Sequence, residues 1–226
     1  MRLGFAASAL GSILQEKRLE VIANNLANAQ TPGFKKDDVR FTDFLYQETH
    51  TRMDQGPIRI TSSPLDVALV GPGWFKVKTD EGIFYTRSGN FMRDPEGRLV
   101  TPEGWPVLDE SGGEIQINST DITIDERGRV LENGVTVGTI AVVDFDEGVR
   151  LEKVRGGYFR TVGSDIREQE PEGTRIQQGA LEEPNFHIVE EMTRMIDTLR
   201  MFEAYQKAMK LFHSEDTQLA RKVSGR

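Results

Sequence analysis

Three histidines, His50, His187 and His213, are the only side chains in this 226-residue chain whose ordinary pKa lies near neutrality. They are scattered and form neither an H-E-x-x-H helix nor any paired-ligand spacing, so zinc chemistry has no support. Cysteine is absent, which removes disulfides, thiolate metal ligands and thiol nucleophiles together. No G-x-S-x-G elbow, phosphate-binding loop or dinucleotide-binding glycine pattern occurs. Carboxylates number 36 and could in principle supply a glycosidase pair, but most lie in turns beside Pro or Gly, where solvation accounts for them. Trp74-Phe75 and Trp105 could stack a sugar; aromatic residues in strands are more often core, and core is the preferred reading. The expectation is a protein that is not an enzyme and holds no cofactor or metal.

The elements that would position any site are clearer than the chemistry. From Ile188 to Phe212, apolar residues recur every three or four places: Ile188, Val189, Met192, Met195, Ile196, Leu199, Phe202, Tyr205, Met209 and Phe212. Glu190, Glu191, Arg194, Asp197, Arg200, Glu203, Lys207 and Lys210 lie between them, so the pattern predicts an amphipathic helix. No Gly or Pro interrupts it between Asn185 and Val223. A helix of about 38 residues would be roughly 57 Å long, too long for one compact domain to cover. Residues 2 to 28 read as a second helix, with Leu3, Leu10, Ile13, Leu14, Leu19, Val21, Ile22 and Leu26 on an apolar side and alanines that favour helix. Gly4 and Gly11 weaken its start; Pro32 and Gly33 end it. Asn24, Asn25 and Asn28 are unusual on such a helix, and are read either as solvated or as pairing with the backbone of a neighbouring chain.

Between the helices the signal changes. Residues 31 to 64 read as a connector: Phe41, Phe44 and Leu45 suggest a short helix, while Ile58 and Ile60 alternate as in a strand. From 65 to 162 short β-type runs are predicted at Val67–Val70, Trp74–Val77, Ile83–Thr86, Arg98–Val100, Ile115–Ile117, Ile122–Ile124, Arg129–Leu131, Val135–Phe145 and Tyr158–Val162. Turns such as Asp94-Pro95-Glu96-Gly97 and Glu126-Arg127-Gly128 separate them, with Pro pre-setting φ and Gly supplying positive φ. This spacing argues for a central all-β domain, followed by a return linker over 163 to 179. The fold class is therefore α+β. The terminal segments, 1 to 30 and 180 to 226, are expected to pair as a coiled-coil-like hairpin beside the β domain.

Charge divides the chain in the same way. Residues 1 to 40 carry six basic and four acidic side chains, residues 185 to 226 seven and six, and residues 41 to 184 fifteen and 26. The near-neutral ends can associate without strong repulsion, while the acidic middle keeps the chain soluble. No basic stripe suits nucleic acid. No run approaches the roughly 18 apolar residues of a membrane span, so no direct membrane span is expected. The N-terminus has no cleavable signal pattern.

Three separated blocks resemble one family. Ile22-Ala23-Asn24-Asn25-Leu26-Ala27-Asn28-Ala29-Gln30-Thr31-Pro32-Gly33-Phe34-Lys35 is similar to the N-terminal signature of the flagellar basal-body rod and hook proteins. Asp66 to Phe75, then Tyr85-Thr86-Arg87-Ser88-Gly89-Asn90-Phe91 and Gly97-Arg98-Leu99-Val100-Thr101, resemble its central domain. Gln178-Gly179-Ala180-Leu181-Glu182, Glu191-Met192, Met195-Ile196 and Arg200-Met201-Phe202-Glu203 resemble its C-terminal helix block. Within the family the proximal rod type (FlgF type) is nearest, since Ser62-Ser63-Pro64-Leu65-Asp66 leads directly into the central domain and only 31 residues separate Phe34 from Asp66. Glu183-Pro184-Asn185-Phe186 departs from the family's usual Ser-Asn-Val.

The resemblance implies a structural subunit of the bacterial flagellar basal-body rod, polymerising into a helical drive shaft that transmits torque. It implies export through the flagellar type III apparatus without a cleaved signal peptide, and a periplasmic place in the rod. Expected partners are other copies of the chain, neighbouring rod proteins including the distal rod protein, and the export apparatus. The distal rod protein of the same family is the runner-up identity. A glycan-binding β domain with an oligomerisation stalk is the reading from another class. The expected subunit interface comprises Leu19, Ile22, Ala23, Asn24, Asn25, Leu26, Asn28, Pro32, Gly33 and Phe34, with Ile188, Met192, Met195, Ile196, Leu199, Phe202, Tyr205 and Met209. The terminal helices would become ordered as neighbours cover them.

Overall fold

The computed structural model describes residues 2–43, 46–119, 121–146, 148–163 and 166–224. Among the described residues two helices, α1 (Arg2–Ala27) and α2 (Ile188–Ser224), bracket seventeen strands. The strands are β1 (Asp37–Asp43), β2 (Tyr46–Thr51), β3 (Ile58–Ile60), β4 (Val67–Val70), β5 (Trp74–Thr79), β6 (Gly82–Thr86), β7 (Met92–Arg93), β8 (Leu99–Val100) and β9 (Ile122–Ile124). They continue as β10 (Arg129–Glu132), β11 (Val135–Thr139), β12 (Val142–Phe145), β13 (Arg150–Arg155), β14 (Tyr158–Val162), β15 (Glu168–Gln169), β16 (Arg175–Gln178) and β17 (Ala180–Glu182). The fold is α+β, as the sequence implies.

The chain forms two compact units. The first gathers residues 1–29, 36–52 and 186–226; the second gathers 30–35 and 53–185. In the first, α1 and α2 pair along their length, and β1 and β2 form an antiparallel hairpin whose register shifts between Phe41 and Asp43. The short helix expected around Phe41 is corrected to strand, while Phe44 and Leu45 lie outside the described residues. The reason is a regular antiparallel ladder, Asp37 opposite Thr51 through Phe41 opposite Gln47, which satisfies the backbone that a helix would otherwise pair internally.

The second unit is all β among its described residues. Its largest sheet has six antiparallel strands in the order β13-β14-β6-β5-β12-β15. Alternation along β5 and β6 sends Phe75, Val77 and Phe84 into a core with Val67, Leu69, Leu99, Val107, Ile117 and Ile140. Trp74 and Tyr85 point the other way, onto Phe159, Val143, Phe145 and Leu151. The aromatic pair Trp74-Phe75 is thus core on both faces of one sheet. The run Val135–Phe145 splits into β11 and β12, and Ile115–Ile117 joins its neighbours through bridges rather than a full strand. The stretch read as a return linker carries β15 and β16.

Two turns in this unit share one chemistry. In Asp94-Pro95-Glu96-Gly97-Arg98 and Asp125-Glu126-Arg127-Gly128-Arg129 the aspartate carboxylate accepts from the arginine's backbone N–H, at 2.7 and 2.9 Å, and pairs with its guanidinium. Gly97 and Gly128 have φ of +87° and +83°, which closes each turn.

Candidate functional site

The helix pair of the first unit is built on an unusual seam. A Cβ on Gly4 would lie 2.8 Å from the Phe212 ring, and one on Gly11 would lie 2.5 Å from the Tyr205 ring. Asn25 Nδ2 reaches Glu191 Oε2 at 3.4 Å. From Gly4 to Gly11 is one heptad on α1, and from Phe212 to Tyr205 one heptad on α2; two further heptads on each lead to Asn25 and Glu191. The helices therefore run antiparallel in one constant register with coiled-coil periodicity. Ser8, Ser12 and Gln15 are buried along this seam, and Gln206 donates to Ser12 Oγ at 3.0 Å. The two glycines that weaken helix propensity make room for rings.

A small and polar seam leaves the apolar residues elsewhere. On α1, Leu3 is 88% exposed and Ile13 55%. On α2, Ile188, Val189, Met192, Ile196 and Leu199 form one row, each between 41% and 76% exposed. Exposed apolar rows of this kind mark interaction sites. Of the expected interface residues, Ala23 and Asn24 are also exposed, while Leu19, Leu26, Asn28, Pro32, Met195, Phe202, Tyr205 and Met209 are half-buried.

Four expected interface residues are covered within the chain itself. Ile22 and Asn25 are buried in the first unit, and Gly33 and Phe34 in the second. Asn25 is fully buried, and its carboxamide copies a strand partner: Nδ2 donates to Asp37 O at 2.9 Å and Oδ1 accepts from Asp37 N at 3.0 Å. It joins β1 to α1 within the unit. Beside it, buried Glu191 pairs with Lys36, and Arg194 reaches Glu191 at 3.3 Å and Asp38 at 3.6 Å. Phe34 lies under the Lys153 ammonium, 3.6 Å from the ring centroid.

The second unit holds a buried ion triad that the sequence reading missed. Glu182 Oε1 accepts from Lys35 Nζ at 2.7 Å and from Gly56 N at 2.9 Å, and Oε2 accepts from Arg87 Nε at 2.8 Å. Arg87 also donates to the carbonyls of Gly71 and Gly73 at 2.9 and 2.7 Å. Burial pushes the Lys35 ammonium below the ordinary lysine range, against the pull of Glu182. Gly33 packs on the same node: its φ is +66°, and a Cβ there would meet the Arg87 carbonyl carbon at 2.4 Å. Lys35, Arg87 and Glu182 come one each from the three blocks on which the family resemblance rests, which was the signal available in the sequence.

Nothing in this arrangement is poised for catalysis. The buried charges of Lys35, Arg87 and Glu182, and of Lys36 and Glu191, are paired with one another. Among the described residues no cluster of His, Asp or Glu could hold a metal ion. Among the same residues no helix is long and apolar enough to cross a membrane.

The chain matches three family descriptions in order: "Flagella basal body rod protein" over residues 3–35, "Flagellar hook protein FlgE/F/G D1 domain" over 68–132, and "Flagellar basal body rod FlgEFG protein C-terminal" over 177–214. It is 33% identical to the flagellar basal-body rod protein FlgF of Caulobacter vibrioides, over 85% of this chain and 86% of the relative. It is 35% identical to FlgF of Mesorhizobium japonicum, over 83% and 84%. The flagellar basal-body rod protein FlgG of Buchnera aphidicola is 31% identical over 96% of each. The exposed helical rows and these likenesses agree, and the chain belongs to the flagellar basal-body rod protein family, as a structural subunit of the FlgF type.

Proposed function

We propose that this subunit occupies the proximal part of the rod, between the membranes, and is delivered there through the flagellar export apparatus. There it assembles with further copies of itself and with the distal rod protein into a torque-carrying shaft. The observation that carries this reading is the row Ile188, Val189, Met192, Ile196 and Leu199, left uncovered on a helix that its own unit packs on one side only. At about 25 cal/mol per Å² of apolar surface, covering such a row by neighbours favours assembly strongly. The working interface is the exposed set Ala23, Asn24, Ile188, Met192, Ile196 and Leu199. Leu19, Leu26, Asn28, Pro32, Met195, Phe202, Tyr205 and Met209 support it from the flank of the helix pair. Torque passes through interlocked helices and β-unit contacts, and no chemical step is involved.

The test is a density map of basal bodies from cells carrying the full chain, beside cells lacking its gene and cells in which residues 2–27 are deleted. The expected outcome is density for this subunit at the membrane-proximal end of the rod, and no rod beyond that level in either deletion. Density at the outer end would favour the distal reading, which the FlgG likeness supports. Normal rods and motility without the gene would overturn the assignment.

A further inference from the structure

We infer that the β unit has a docking surface of its own: the basic edge of its six-stranded sheet seats against the acidic edge of the same sheet in a second copy. This rests on the rod-subunit reading above and adds where the β units meet. The sheet runs β13-β14-β6-β5-β12-β15, so β13 and β15 are its two ends. The first end, Arg150-Leu151-Glu152-Lys153-Val154-Arg155, carries three cations and one carboxylate, and Arg160 lies opposite Glu152 on β14. It is an exception in a segment that is acidic overall. At the other end Glu168, Glu170 and Glu172 recur at every second residue, with Asp144 on β12 and Asp146 just after it. The cations there are Arg167, next in sequence, and Lys76, which bonds Glu168 at 2.7 Å.

Charge selects the occupant. Part of each edge is satisfied within the copy, since Glu152 pairs with Arg160 at 2.7 Å as Glu168 does with Lys76. Among the described residues Arg155 on the basic edge, and Glu170 and Glu172 on the acidic one, make no ion pair, and all three are exposed. An end strand presents unpaired backbone groups, and charge on it repels an end of the same sign. Two β13 edges, or two β15 edges, would set like charges opposite one another, which destabilises neighbouring strands. A β13 edge against a β15 edge sets Arg155 beside carboxylates instead. One sheet carries both halves of this match, so a second copy satisfies both ends, whereas another protein would have to supply the complement. Because the two edges differ, the contact is heterologous and repeats from copy to copy rather than closing as a two-fold dimer.

Arg150→Glu with Arg155→Glu reverses the basic edge, and Glu170→Lys with Glu172→Lys reverses the acidic one. All four positions are exposed, so each full-length variant should keep the wild-type unfolding midpoint. Each pair, and all four changes together, would replace the wild-type chain in cells, and the subunit would be quantified in purified basal bodies. The expected result is a several-fold loss with either pair and recovery with all four, because the reversed edges match again. Wild-type amounts with either pair alone overturn the contact. Loss with both pairs and no recovery with all four overturns the second copy as occupant. A conservative variant gives an independent reading: Arg155→Lys keeps the charge and adds an amine that a zero-length carbodiimide can join to a carboxylate. The two ends lie five strand spacings apart, about 24 Å, beyond such a link within one copy. In isolated basal bodies the introduced amine should join residues 168–172 of another copy; links only to other rod proteins overturn the choice of partner. Absence of the wild-type chain from basal bodies overturns instead the rod-subunit reading on which the inference stands.

Discussion

Gly11 and Tyr205 face each other across the helix pair with no room for a methyl group between them, since a Cβ on Gly11 would lie 2.5 Å from the ring. In an open helix Gly→Ala gains up to about 1 kcal/mol, but overpacking costs about 1–3 kcal/mol. Gly11→Ala is expected to lower the stability of the helical unit by about 1 kcal/mol. In a Tyr205→Ala background the same change is expected to stabilise. The change of sign, read from denaturant unfolding followed by helical circular dichroism, is the measurement; stabilisation in both backgrounds would show that the ring does not hold the register.

Asn25 and Asn24 are adjacent in sequence and opposite in environment. Asn25→Leu removes the hydrogen bonds that Asn25 makes to the buried N–H and C=O of Asp37, at about 1–3 kcal/mol for each bond lost. The hairpin of β1 and β2 should then exchange its amide hydrogens much faster, and incorporation into the rod should fall as a consequence. Asn24→Leu, at an exposed position, should leave exchange unchanged. Equal protection of the Asp37 amide in wild type and Asn25→Leu would refute the strand-partner role.

This contrast also marks what the sequence could and could not convey. Both helices, and most central strands, follow from periodicity and turn residues because those signals are local. The α1–α2 seam does not, because glycines, serines and glutamines line it while Leu3 and Ile13 turn outward. Apolar periodicity locates a helix without saying which side its own unit covers. The β1–β2 hairpin was hidden for a related reason: Asp37-Asp38-Val39-Arg40 and Gln47-Glu48-Thr49-His50 have too few apolar residues for a strand signature. Lys35, Arg87 and Glu182 were hidden because ionisable side chains are normally solvated.

The triad of Lys35, Glu182 and Arg87 predicts an asymmetry. Removing the one negative charge leaves two buried cations together, so Glu182→Gln is expected to cost about 3–5 kcal/mol. Lys35→Met leaves a neutral Arg87–Glu182 pair, and Asp54 O, which Lys35 also bonds, retains the Asn185 amide at 3.1 Å. Its cost should be less than half that of Glu182→Gln in thermal or denaturant unfolding of the full chain. A larger loss for Lys35→Met would mean that the ammonium, not the carboxylate, organises the node.

Two buried tyrosines set the alkaline limit of the β unit. Burial raises the Tyr85 phenol well above the ordinary tyrosine range, helped by its 2.7 Å hydrogen bond to Glu168, and burial with Glu103 does the same for Tyr158. The unfolded chain ionises these groups near pH about 10, before the folded chain does. Their contribution is therefore complete below that pH and is lost as pH rises past it toward the folded values. Tyr85→Phe and Tyr158→Phe together should flatten the fall in stability above pH about 10, measured by unfolding midpoints against pH. An unchanged slope would place the alkaline sensitivity elsewhere.

Ile196 separates folding from assembly. It is half exposed on α2 and lies off the seam with α1, so Ile196→Glu should change monomer stability by no more than about 0.5 kcal/mol. In an assembled rod the same carboxylate would be taken from water without a partner, which is costly. Motility and the amount of subunit in purified basal bodies should both collapse while the soluble chain keeps its unfolding midpoint. Met195→Asp should lose both, because Met195 is half-buried within the unit. If Ile196→Glu assembled normally, the α2 row would be a solvent-facing surface in the rod, and torque would have to pass between subunits through the β units alone.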